Sequence, residues 1–187
     1  MKFVLRLVIG TAIVGTLGAL AAPWLRDLVY VAHLVREERP AALPVPVEGV
    51  SPRQVRDTWG ARRPGGREHE GVDIFAPRGT PIRSATRGLV WNIGENGLGG
   101  TVVWVLGPAG DLHYYAHLDR VAELRERQRV DAGDLLGYVG NTGNAARTPP
   151  HLHYAIYRRG SGAVNPYPLL TRPGDDRQAR QRSGGPG

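Results

Sequence analysis

His69 and Asp73 stand four residues apart in His69-Glu-Gly-Val-Asp73. On an extended segment residues i and i+4 share a face, so an imidazole and a carboxylate can converge there on one cation. His151-Leu-His153 puts two imidazoles two residues apart, again on one face of a strand. Tyr115-Ala-His117 ends a third apolar run, and strict alternation places His113, Tyr115 and His117 on a common face. Zinc accepts neutral imidazole nitrogen and carboxylate oxygen, and a catalytic zinc keeps three protein ligands and leaves a fourth position for water. Two histidines and one aspartate meet that count, and two further histidines remain to handle protons.

Each pattern alone has an ordinary reading. His69 and Asp73 can be a surface hydrogen bond, His151 and His153 a plain strand pair, and Tyr115 with His117 an aromatic strand end beside a solvated imidazole. Their co-occurrence, in order, within one small domain favours a shared site. His113 reads as a face neighbour, Glu70 as a solvated residue on the opposite face, and His33 as an interfacial residue outside the domain.

These side chains need a scaffold of short strands. Gly88–Ile93, Thr101–Leu106 and Leu112–Leu118 read as strands joined by Glu95-Asn-Gly-Leu-Gly-Gly100 and Gly107-Pro-Ala-Gly110, an antiparallel meander. Asp134–Val139 and Leu152–Arg158 read as further strands, and Arg120–Gln128 as a short helical turn or a polar connection. The 26 glycines and 15 prolines among 187 residues fit many turns and argue against a helical bundle. The expected fold is mainly β, an antiparallel core in a sandwich or partly open barrel. The absence of cysteine excludes a disulfide scaffold and any thiolate metal site. The net charge of +7 suits an anionic partner such as cell wall or membrane surface. It is spread, with no basic stripe interleaved with stacking aromatics, which argues against a nucleic-acid partner.

The ends read differently from the core. Leu7–Leu25 is a run of 19 uncharged positions between Arg6 and Arg26. As a helix it would span roughly 28 Å, close to the hydrocarbon thickness of a bilayer. Residues 1–25 are therefore expected to be a transmembrane signal-anchor helix, with a cleaved signal peptide as the alternative. Residues 26–46 read as a juxtamembrane segment followed by a Pro-rich spacer, Pro40-Ala-Ala-Leu-Pro-Val-Pro46. The folded unit is expected over 47–170 and a disordered polar tail over 171–187.

From Trp59 to Pro168 the chain resembles the lysostaphin/LytM-type zinc metallopeptidases, the β-lytic peptidase family. The resemblance is carried by Trp59-Gly-Ala-Arg62, His69-Glu-Gly-Val-Asp-Ile74, Ala76-Pro-Arg-Gly-Thr-Pro-Ile82, Tyr115-Ala-His-Leu118, Gly137-Tyr-Val-Gly-Asn-Thr-Gly143, Pro150-His-Leu-His-Tyr154 and Val164-Asn-Pro166. It implies that His69, Asp73 and His153 are ligands of one Zn²⁺ and that His117 and His151 are an unligated catalytic pair. It implies an antiparallel β core with the metal in a groove, and endopeptidase activity on peptidoglycan stem peptides. Some relatives have lost ligands and act as non-catalytic activators of wall amidases; here no ligand is missing. A domain held on the inner membrane by the N-terminal helix would face the periplasmic wall, where D-alanyl–diaminopimelate cross-links are common. A DD-endopeptidase is the expected activity, with a non-catalytic regulator as the alternative. The loop Asn144-Ala-Ala-Arg-Thr-Pro-Pro150 is longer than the family's common form. Asn141–Asn144 is polar enough to bond a peptide backbone, and Arg147, Arg158 and Arg159 could meet substrate carboxylates or simply be solvated.

Overall fold

The computed structural model describes residues 2–172 apart from Pro64, with side chains described from residue 15 onward except Leu17. Of the tail expected over 171–187, residues 173–187 lie outside the described residues, while Thr171 ends a described helix, Tyr167–Thr171. Many side chains of the run Leu7–Leu25 also lie outside them. Among the described residues no helix is long and apolar enough to cross a membrane.

Helix α1 spans Lys2–Arg36 and passes through Pro23. The strands are β1 (Val72–Phe75), β2 (Pro81–Arg83), β3 (Gly88–Asn96), β4 (Gly100–Leu106), β5 (Leu112–Val121), β6 (Arg129–Val130), β7 (Leu135–Val139), β8 (His151–Arg158) and β9 (Gly162–Val164), followed by α2 (Tyr167–Thr171). The nine described strands form one antiparallel sheet with the main order β1-β8-β5-β4-β3-β6. The meander β3-β4-β5 is as expected from its turns. The connection expected over Arg120–Gln128 is shorter, because β5 continues through Val121.

The mainly antiparallel β core agrees with the sequence, and the strands make one sheet rather than the two of a sandwich. The sheet is not closed, and in place of two packed sheets it branches at β5. Residues 112–116 of that strand pair with β8, while Leu118, Arg120 and Val121 pair with β7, which carries β2. The cause lies at His117, whose φ of 65° is left-handed. Tyr115 pairs with Val103 but Leu118 pairs with Thr101, so β5 holds one more residue than β4 over this stretch. An extra residue bends a strand and breaks its alternation.

One face of the sheet carries the core. Val72 and Ile74 of β1, Val103 and Val105 of β4, Tyr115 of β5, and Leu152, Tyr154 and Ile156 of β8 are buried there. Ile82 of β2, Leu136 and Val139 of β7, and Leu170 of α2 close over them. Two buried phenols are satisfied within this layer. The Ala85 N–H donates to the Tyr115 hydroxyl at 2.9 Å, and the Tyr154 hydroxyl bonds His113 Nδ1 at 2.7 Å. Burial pushes the Tyr115 hydroxyl up to about 12.

The segment expected as a spacer packs along the domain. Leu43 and Val47 are buried, Leu43 N–H donates to Leu169 O at 2.9 Å, and Val47 bridges Ile82. Arg39 makes two bonds, 2.9 and 3.1 Å, to the buried Asp111 carboxylate. Residues of this kind, apolar and regularly spaced between prolines, gain more by covering the open edge of a core than by extending into water.

Candidate metal centre

The opposite face of the sheet carries a smaller apolar cluster, Val102, Tyr114, Ala116 and Ala155, and beside it the titratable cluster. Asp73 is paired with His153 across β1 and β8, and Ala116 of β5 is paired with His153 on its other side. His151 lies opposite Phe75 and so projects on the same face as His153. His69 arrives by another route. It precedes β1, its N–H donates to Ala61 O at 3.0 Å, and the chain bends at Gly71 before the strand begins. The four-residue spacing therefore converges through a bend and not along a shared strand face. Gly71 is needed at the bend, because a Cβ there would lie 2.6 Å from His153 Cε1 and 2.7 Å from Tyr154 O.

His69 Nε2 lies 2.8 Å from His153 Nδ1 and 3.0 Å from Asp73 Oδ1, and His153 Nδ1 lies 3.2 Å from Asp73 Oδ1. One ligating atom from each residue falls within 4.8 Å of the others. His69 and Asp73 are buried and His153 is nearly so. The His69 Nδ1–H donates to Thr58 O at 2.7 Å, which in the neutral ring leaves the lone pair on Nε2, aimed into the cluster. Three lone-pair donors converging in a buried space repel one another unless a cation or proton stands between them. The donor set, two imidazole nitrogens and a carboxylate oxygen, fits zinc.

Burial alone would push the Asp73 carboxyl up. The contacts with His153 and His69 and the Arg63 guanidinium outweigh it and hold the group well below the usual carboxylate range. Arg63 Nη2 contacts Asp73 Oδ2, leaving Oδ1 to face the two imidazoles. Burial likewise holds His153 below its ordinary value, against the pull of Asp73.

His117 reaches this face only through its left-handed backbone. Alternation would place it beside His113 and Tyr115; those two face the core, whereas the His117 ring centroid is 5.0 Å from that of His151 and 5.9 Å from that of His153. His117 Nδ1–H donates to Thr142 O at 2.9 Å, and His151 Nδ1–H donates to Pro149 O at 2.8 Å. Both rings thus keep Nε2 free on this face. Burial first, then the neighbouring His151 and His153, lower the His117 pKa to about 4, so the ring is neutral at pH 7. Beside it a cleft of about 460 Å³ is lined by Glu95, Asn96, Gly100, Thr101, Thr142 and Gly143.

The five residues singled out in the sequence, His69, Asp73, His117, His151 and His153, thus lie together. His113 does not join them: it is buried against Tyr154. Arg158 points elsewhere, its Nε 3.8 Å from Asp111. Asn141 spends its side chain on Arg78 and on the carbonyls of Ala146 and Thr148. Sequence reasoning did not single out Thr58 or Arg63, which hold His69 and the Asp73 carboxylate from 11 and 10 positions away, nor the bond from His117 to Thr142 O, 25 positions on.

An open antiparallel sheet with a buried His-Asp-His cluster and two free imidazoles on one face defines a class of metallopeptidase scaffold. Residues 67–166, more than half of the chain, match the model of Peptidase family M23, and the chain belongs to that family. The L-Ala–D-Glu endopeptidase of Bacillus subtilis is 39% identical over 140 residues, covering 69% of this chain and 42% of that protein. The peptidoglycan DD-endopeptidase ShyC of Vibrio cholerae is 36% identical over 92 residues, covering 49% of this chain and 21% of that protein. This chain therefore spans less than half the length of either relative. Among solved structures, the catalytic domain of the antimicrobial peptidase lysostaphin from Staphylococcus simulans is similar with a TM-score of 0.56 and 29% identity, over 62% of this chain and 90% of that domain.

Proposed function

We propose that this chain is a zinc-dependent endopeptidase that hydrolyses the D-alanyl–diaminopimelate cross-links of peptidoglycan, one zinc per chain. We further propose that its N-terminal helix anchors it in the inner membrane with the catalytic domain in the periplasm. The observation that carries the enzymatic reading is the convergence of His69 Nε2, Asp73 Oδ1 and His153 Nδ1 beside two imidazoles whose Nδ1–H groups are tied to carbonyls. The 19 uncharged positions of Leu7–Leu25 support the anchor.

His69, Asp73 and His153 would hold the metal. Zinc, when bound, supplies Lewis acidity toward a water and toward the scissile carbonyl. His117 and His151 each present Nε2 to the site, their Nδ1–H groups being taken by carbonyls. Between them they take up the proton of the attacking water and return one to the leaving amine. The carbonyls of Thr142 and Pro149 fix which ring nitrogen does this, since they occupy the other. Arg63 keeps Asp73 ionised and turned.

Cleavage of the L-Ala–D-Glu bond is a second reading, favoured by the relative that matches over 140 residues. Purified full chain loaded with zinc, incubated with peptidoglycan with and without chelator, separates these readings by mass spectrometry of the soluble products. Chelator-sensitive conversion of cross-linked dimers to monomers is the expected result. Stems cut back to L-Ala would assign the second reading. An uncut wall at full zinc occupancy would overturn both and leave the non-catalytic regulator of a wall amidase.

A further inference from the structure

The C-terminal half of α1 is not a free stalk. Asp27, Tyr30, Val31, Leu34 and Val35 follow the i, i+3, i+4, i+7, i+8 pattern of one helix face. That face lies on the domain. Leu34 is fully buried, Asp27 accepts from Arg127 Nε at 2.8 Å, and the Tyr30 hydroxyl donates to Gly88 O at 3.3 Å. The outer face is apolar as well. Leu25, Leu28 and Val29 lie there and are more than half exposed, as are Leu20 and Trp24, which continue the domain-facing row two turns and one turn before Asp27. A helix already seated on its domain needs a polar outer face in water. Here apolar side chains persist, apart from the exposed Arg26, to Val29, one turn past the uncharged run Leu7–Leu25, before exposed His33 and Arg36.

Cations rim this apolar face. The Arg127 guanidinium lies over the Trp24 ring at 3.6 Å and that of Arg129 over Tyr30 at 4.3 Å. Asp27 neutralises Arg127. Arg129 comes no nearer than 3.9 Å to that carboxylate, and among the described residues Arg26 has no carboxylate partner. Between helix and domain runs a groove of about 590 Å³ walled by Ala22, Leu25 and Val29, with Arg26 and Arg129 on its lining. An apolar wall ending at two cations, beside an aromatic pair, matches an acyl chain leading to an anionic headgroup at the bilayer surface.

We propose that this groove binds an anionic phospholipid and seats the catalytic domain on the membrane. The proposal rests on the anchor reading given above. The apolar wall selects a lipid over free phosphate. Helix α1 meets the domain near Gly88 and Gly110, whereas His117 lies five residues along β5 from Leu112, about 17 Å at the usual rise of a strand.

The test uses the full chain. It is reconstituted into phosphatidylcholine vesicles with and without phosphatidylglycerol and washed with alkaline carbonate. In parallel, native mass spectrometry in detergent counts bound phosphatidylglycerol, phosphatidylcholine and inorganic phosphate. The expected result is a carbonate-resistant chain that binds phosphatidylglycerol in preference to the other two, with affinity about 30-fold lower in the Arg26→Gln/Arg129→Gln double variant. That variant should cleave soluble muropeptides like the unaltered chain, which shows it is folded. Equal binding of both lipids, phosphate binding as tight as that of the lipid, or unchanged binding by the variant in a carbonate-resistant chain would overturn the lipid site alone. A chain stripped by carbonate would overturn the anchor reading and this site with it.

Discussion

Tyr115 and His117, two residues apart on one strand, face opposite sides of the sheet. The Tyr115 side chain is fully buried in the core, while the His117 ring stands 5.0 Å from that of His151 on the opposite face. A left-handed φ of 65° at His117 makes the exchange, and the bond from its Nδ1–H to Thr142 O fixes the result. Strain of this kind costs of order 1–3 kcal/mol and persists only where surrounding structure enforces it. Here it brings an imidazole to the face that holds the His69-Asp73-His153 cluster, on a strand whose neighbouring residues build the core.

Thr142 is the clamp. Its Oγ1 accepts from Thr101 N–H at 3.0 Å and donates to Leu118 O at 2.9 Å, spanning both strands of the bulge. Thr142→Val removes both bonds while keeping the shape. It should lower stability by about 1–2 kcal/mol in urea denaturation and lower turnover by more than the stability loss explains, with zinc content unchanged. Turnover equal to that of the unaltered chain would show that the clamp does not hold His117.

Gly71 supplies the space that lets His69 and His153 meet. In Gly71→Ala the new Cβ would press on His153 Cε1 and on Tyr154 O, whose strand cannot move away without breaking its pairing with β1. Zinc affinity, measured against a competing chelator, should fall about 10- to 100-fold, the range seen when groups that orient ligands are lost. Unchanged affinity would mean that the bend is not what sets the ligand geometry.

His113 makes stability depend on pH. Burial, opposed only in part by Asp111, lowers its pKa from the ordinary 6.5 to about 4. Below pH 6.5 the unfolded chain takes up a proton that the folded chain refuses. Stability therefore falls as pH drops from about 6.5 toward 4 and levels off below, by up to about 3 kcal/mol from this group. Subtracting the profile of His113→Gln from that of the unaltered chain isolates the contribution from other titrating groups. Urea melts at pH 4.5, 5.5 and 7 should show the difference shrinking at low pH.

The parts of the site that were legible in the sequence are those governed by local period. His151 and His153 share a face because β8 is a regular strand, and the meander β3-β4-β5 follows from its glycine turns. His69 and Asp73 converge, but through a bend at Gly71 that the spacing alone does not encode. His117 was placed on the wrong face by strict alternation, because a bulge depends on what the strand pairs with, and its partners Thr101 and Thr142 are 16 and 25 residues away. The open, branched sheet has the same origin: a strand's second partner leaves no period in its own sequence. Thr58 and Arg63 escaped notice because one acts through a backbone carbonyl and the other reads as a surface charge. The seven-residue Pro-rich stretch reads as a spacer because the cover that its Leu43 and Val45 provide for the core is visible only in three dimensions.

Two substitutions compared side by side test the ligand assignment most directly. His153→Ala and His117→Ala are purified as full chains, dialysed against zinc of known free concentration, and assayed for bound metal and for peptidoglycan cleavage. His153→Ala should lose zinc and activity together. His117→Ala should bind about one zinc per chain and lose roughly 100-fold or more in turnover, the share expected of a positioned proton-transfer group. Loss of zinc from His117→Ala, or full zinc binding by His153→Ala, would contradict the division between the two sets of residues.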